Sequence, residues 1–171
     1  MSHYDDLRGA HTSAAEHLAN PSLVATAINL LIAEESFESA PYLCSEGFPT
    51  VGFGQRIGPQ HADIALYQFK LPKGAALKWL EINVALLVGQ VATNPKTAAA
   101  FANCNLARQT VLISMAYQMG LKGLAGFTHT LAALADGRWE DAWLHALDSR
   151  WAIQTPKRAQ RHADVLATGE W

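Results

Sequence analysis

The chain has 171 residues, half of them hydrophobic and 16% charged, with a formal net charge of −2. That balance is too apolar for a disordered polypeptide and too interrupted by polar residues for a membrane span of about 20 apolar positions, so a soluble globular protein without stable membrane insertion is expected. It also provides no global positive field to hold nucleic acid.

The first residues, Met1-Ser2-His3-Tyr4-Asp5-Asp6, lack the basic start and apolar stretch of a signal peptide, so synthesis in a cytoplasm without an export signal is expected. Residues 1–20 are polar and mixed and form an extension of unassigned role. Asn20-Pro21 marks a helix start, because Asn accepts first-turn N–H bonds and Pro loses none there. The helix is expected from Pro21 to about Glu35, with Leu23, Val24, Ala27, Ile28, Leu30 and Leu31 on its apolar face.

Tyr42 to Gly54 reads as a hairpin: Tyr42-Leu43-Cys44, a turn at Ser45-Glu46-Gly47-Phe48-Pro49, then Thr50-Val51-Gly52-Phe53-Gly54. A further short strand and a loop follow within 55–71, so 36–71 forms a small β lobe. Lys73 to Val91 predicts a helix of nearly 30 Å, long enough to link two lobes. Asn94-Pro95 and Thr155-Pro156 repeat the helix-start signal. Periodic apolar segments near 96–103, 107–119, 128–135, 139–147 and 157–166 predict a helical lobe over 92–171. The tryptophans, four of them at or after Trp139, are read as core packing. Cys44 and Cys104 show no CxxC spacing and the seven histidines no HExxH. Neither a disulfide framework nor a metal or other cofactor is expected.

The chemistry concentrates in one stretch. Glu35 at a helix end is followed by eight residues, then Cys44, five residues, then Thr50 on the next strand. Glycosidic-bond hydrolysis needs a protonated carboxyl for the leaving oxygen and a second polar group that activates or holds water, and this arrangement offers both. Polar residues at such spacing occur in many chains, so the spacing alone does not decide.

The rest of the chain adds to it. Leu112-Ile113-Ser114-Met115-Ala116-Tyr117-Gln118-Met119-Gly120, Gly123-Leu124-Ala125-Gly126-Phe127 and Ser149 to Arg161 follow in order, and with the triad they resemble the phage-type lysozymes, glycoside hydrolase family 24. That family carries Glu, eight residues, Asp or Cys, five residues, Thr, and the resemblance covers roughly 22–171. It implies one α+β, mostly helical domain over 21–171: a small antiparallel sheet lobe, a long connecting helix and a helical lobe, with peptidoglycan bound between lobes.

By that resemblance Glu35, rather than its neighbour Glu34, is the general acid, and spacing to Cys44 and Thr50 selects it. Acid chemistry needs the carboxyl protonated, which burial favours and a paired cation, implied to be Arg158, opposes. Cys44 replaces the commoner Asp and is a weaker base. Thr50 would hold the attacking water. Tyr117, Thr130 and His145 match saccharide-lining positions, with Gln118, Gln154 and Thr155 beside them. Gln55 stands where some relatives have His, so the ion pair made by that His is not expected, and Arg56 occupies a usually apolar position from which it would meet a peptide-stem carboxylate.

The implied activity is a muramidase acting by inversion on bacterial peptidoglycan at the β-1,4 bond between N-acetylmuramic acid and N-acetylglucosamine. The expected role is a monomeric phage endolysin that waits in the host cytoplasm until a holin opens the membrane, then cuts the wall in the periplasm. A secreted antibacterial effector is the other delivery route. A lytic transglycosylase and a noncatalytic wall-binding module are the alternatives.

Overall fold

The computed structural model describes residues 20–171; the expected extension 1–20 lies outside the described residues except for Asn20. Along the chain come α1 (Pro21–Glu34), β1 (Glu38–Leu43), β2 (Pro49–Gly52), β3 (Gln55–Arg56), a 3₁₀ turn (Ile64–Leu66) and α2 (Lys73–Thr93). There follow α3 (Ala98–Asn103), α4 (Leu106–Ala125), α5 (Thr128–Ala135), α6 (Trp139–Leu147), α7 (Arg150–Gln154) and α8 (Pro156–Thr168). The described residues are mostly helical with one antiparallel sheet in the order β1-β2-β3, the α+β lysozyme-like class expected of the sequence. They form two compact units, one of Ile28–Val84 and one of the segment ending at Ala27 with Ala85–Trp171.

The start of α1 follows its cap. The Asn20 side-chain oxygen accepts from the Ser22 N–H at 3.0 Å, and the Asn20 carbonyl accepts from Val24 at 3.1 Å. Leu23, Ala27 and Leu31, each four residues on, are buried, while Val24, Ile28 and Leu30 are only half-buried, so the apolar face is narrower than expected.

The unit of Ile28–Val84 is built around the sheet. Tyr42 pairs with Thr50, Leu43 with Pro49 and Glu38 with Gly52. Four residues of β1 thus span two of β2, a bulge that accommodates Pro41, which has no N–H for a ladder. β1 begins at Glu38, four residues before the expected Tyr42, because the bulge hides the alternation by which a strand is read from sequence. β3 adds the pairs Thr50–Arg56 and Val51–Gln55. Past β3, Ile57 N–H donates to the Pro49 carbonyl, His61 N–H to Gly47, and Leu71 N–H to Ser39, all at 2.7–2.8 Å, so the loop closes back on the hairpin. Phe53 is buried, with its ring 5.2 Å from that of Phe37.

α2 runs two residues beyond its expected end. An 18-residue window within it has a mean hydropathy of 1.3, so by length and composition alone this helix is able to cross a membrane. Whole-chain composition did not show this, because it averages the stretch with its polar surroundings. The same length and composition suit a core helix of a soluble protein, although only 28% of the window is buried.

In the other unit, Val111 to Ala116 of α4 are all buried. The helix breaks at Gly120, whose φ of 77° and ψ of 161° lie outside the helical region, then resumes to Ala125, six residues past the expected end at 119. α5 and α6 coincide with expectation. The short α7 was not anticipated; its Ser149 Oγ accepts from the Ala152 N–H at 3.1 Å. Buried Arg108 donates to the carbonyls of Leu166 (2.8 Å) and Ala167 (2.9 Å) and stacks 3.8 Å from the Trp139 ring centroid. Trp151 is core, as expected of the tryptophans, whereas Trp171 is 60% exposed.

Candidate active site

The three residues singled out as catalytic all lie in the unit of Ile28–Val84. Glu35 follows the last residue of α1 and still donates its N–H to the Leu31 carbonyl at 2.8 Å, so the Leu23–Ala27–Leu31 line positions it, and it is half-buried. Neither Glu35 nor Glu34 is free of partners.

Cys44 and Thr50 are brought together by the hairpin. Tyr42, Thr50 and Arg56 are directly opposite one another across the three strands, so their side chains share one sheet face. Cys44, two residues after Tyr42, returns to that face, and its N–H donates to the Phe48 carbonyl at 3.0 Å, closing the turn. Burial pushes the Cys44 thiol up, but N–H groups of Phe48 and Glu46, the Thr50 hydroxyl and the charge of Arg56 outweigh it and hold the thiol below its ordinary value. The thiol is half-buried, whereas Thr50 is 2% exposed. The Thr50 hydroxyl donates to the Phe48 carbonyl at 2.9 Å. Its single proton serves that carbonyl or the thiolate, and its lone pairs remain available to accept from a water.

Tyr42 joins the two halves of the constellation. Burial and the charges of Glu35, Cys44 and Glu38 hold its phenol above the ordinary value, so acid and thiol both lie within electrostatic reach of this ring. Arg56 meets a residue of its own chain: its guanidinium pairs with Glu46 and lies 4.2 Å from the Phe48 ring centroid. Gln55 is buried, its Oε1 accepting the Phe53 N–H at 2.6 Å, which gives it a local structural role.

The expected saccharide contacts lie in the other unit. The Gln118 Oε1 accepts the Trp151 Nε1–H at 2.9 Å, and the Thr155 hydroxyl donates to the Trp151 carbonyl at 3.1 Å, so both spend polar groups on holding this tryptophan. Thr130 is 1% exposed and packs inside its unit. The His145 ring lies 5.3 Å from that of His129. Gln154 ends α7 and is exposed, while Tyr117 and Arg158 are half-buried and have partners.

A family model described as phage lysozyme matches residues 33–162, a span that includes every one of these positions. The chain belongs to the phage lysozyme family. Within it, the chain is 30% identical over 166 residues to the pre-baseplate central spike protein Gp5 of Enterobacteria phage T4, covering 88% of this chain but 28% of that protein. It is 24% identical over 166 residues to probable T4-type lysozyme 1 of Dictyostelium discoideum, covering 86% of this chain and 96% of that one. A second Dictyostelium discoideum protein, probable T4-type lysozyme 2, is 26% identical over 89 residues, 52% of each chain. Membership supports a lysozyme-type glycosidase function.

Two features of this phage lysozyme chain were not given roles from sequence. Tyr42 lies two residues before Cys44, so strand alternation alone puts both on one face. The N–H groups of Glu46 and Phe48 that face the thiol had no sequence signal, since any residue type supplies them.

Proposed function

We propose that this protein is a muramidase that hydrolyses the β-1,4 bond between N-acetylmuramic acid and N-acetylglucosamine in bacterial peptidoglycan. The observation that carries the reading is the hairpin register, which sets Tyr42 opposite Thr50 and returns Cys44 to the same face through its bond to Phe48, with the charge of Glu35 acting on Tyr42. In this mechanism the Glu35 carboxyl gives its proton to the glycosidic oxygen as the C1–O bond breaks. A water held by the Thr50 hydroxyl attacks C1 from the other face and passes a proton to the Cys44 thiolate. One water is consumed, the configuration inverts, and Glu35 and Cys44 recover their starting forms by exchanging protons with solvent. The lowered thiol enlarges the thiolate fraction available for this step.

The proposed setting is a phage endolysin that accumulates in the host cytoplasm and reaches the wall after membrane opening. The deciding experiment digests purified peptidoglycan with wild type and Glu35→Gln and weighs the products. Free reducing ends from wild type, and a fall of at least about a thousandfold in Glu35→Gln, are expected. Products lighter by one water would identify a transglycosylase. Equal inertness of both proteins, with retained sedimentation on peptidoglycan, would identify a wall-binding module.

A further inference from the structure

The turn that carries Cys44 is braced by a cation which the mechanism above does not use. Arg56 stands opposite Thr50, in the row that also contains Tyr42, on the face to which Cys44 returns. Its guanidinium rests on the Phe48 ring, 4.2 Å from the centroid, and pairs with the Glu46 carboxylate. Phe48 and Glu46 are the two residues whose backbone N–H groups favour the charged form of the thiol. One side chain therefore grips both ends of the short segment that solvates the sulfur, while remaining half-exposed itself.

We propose that Arg56 is the positioning residue that allows a cysteine to serve at position 44: by holding Glu46 and Phe48 at once it fixes the turn around the sulfur that takes a proton from the attacking water. The inference rests on the muramidase reading for its catalytic half, but not for the coupling between guanidinium and thiol. The charged and titratable groups around this face and its turn are Glu35 beyond α1, Glu38 and Tyr42 on β1, Glu46 in the turn, Arg56 on β3, and His61, whose ring lies beside Gly47 and whose N–H donates to the Gly47 carbonyl at 2.8 Å. Among the described residues, Arg56 is the cation that acts on the thiol, and Tyr42 responds to the negative groups. A lysine would keep the charge but lose the planar stack on Phe48 and the forked donors, so it should preserve part of the effect.

The test is the pH dependence of iodoacetamide alkylation at Cys44, followed by peptide mass in the full chain, for wild type, Arg56→Leu and Arg56→Lys. Cys104, buried and pushed up to about 11, is the slow internal control. Arg56→Leu should alkylate about two- to fourfold more slowly at neutral pH, the size of effect one unit charge has on a nearby group in a solvent-like dielectric, with its profile displaced to higher pH. Arg56→Lys should fall between, and thermal melting of each variant checks that the fold is kept. The acid limb of peptidoglycan cleavage should move to higher pH in step with alkylation. Superimposable alkylation profiles for wild type and Arg56→Leu would overturn the proposal. A displaced alkylation profile with an unmoved cleavage profile would overturn its catalytic half. Absence of cleavage by the wild type would instead overturn the muramidase reading, with alkylation still reporting on the pair.

Discussion

Gly52 lies two residues beyond Thr50 on β2, and its replacement by alanine tests how the strand end is held. Its φ is +69°, and an added Cβ would stand 2.3 Å from Gln55 Oε1 and 3.3 Å from the Ala76 Cβ. The backbone conformation alone costs a non-glycine residue about 1–2 kcal/mol. Relief of the clash requires Gln55 Oε1 to leave the Phe53 N–H, which it accepts at 2.6 Å inside the fold, and a buried hydrogen bond lost in this way costs about 1–3 kcal/mol more. The expected destabilisation is therefore about 2–5 kcal/mol, measured by urea unfolding. A cycle with Gln55→Ala separates the two contributions. In the Gln55→Ala background the oxygen is gone, so Gly52→Ala should cost only the backbone share of about 1–2 kcal/mol. A cost below about 1 kcal/mol in the wild-type background, or an equal cost in both backgrounds, would refute the account of Gln55 as the side chain that locks this turn.

Two further outcomes follow from the other unit. Arg108→Ala should destabilise by about 2–4 kcal/mol, since it removes donors to the Leu166 and Ala167 carbonyls and a stack on Trp139; equilibrium unfolding within about 0.5 kcal/mol of wild type would contradict this. Burial pushes the Cys104 thiol from 9.0 up to about 11, so the folded state retains its proton where the unfolded chain has lost it. Stability from this group is complete below pH 9 and is lost as pH rises from 9 to 11, and the difference in unfolding free energy between wild type and Cys104→Ala should shrink over that window.

The helices were legible where local signals are strong. Asn20-Pro21 and Thr155-Pro156 mark helix starts because capping and the fixed φ of proline act within one turn, and the bounds of α5 and α6 follow apolar periodicity. β1 was read four residues short because the bulge at Ser39-Ala40-Pro41 erases period-two alternation. α7 escaped notice because five residues hold little periodicity. At the candidate site, Glu35, Cys44 and Thr50 were singled out from spacing together with resemblance, since their residue types carry chemistry that a sequence displays openly. The bond that Gln118 makes with Trp151 and the burial of Thr130 depend on contacts with residues distant along the chain, which no local pattern encodes. Arg56 was read toward an outside carboxylate; its pairing with Glu46, ten residues earlier, had no local signal, because the three-stranded register is what brings the turn over β3.

Glu35, Cys44 and Thr50 fall within sixteen consecutive residues of one compact unit, joined by a helix end, a hairpin and its turn. The spacing of this candidate centre is therefore set by neighbours along the chain, within one stretch of local structure.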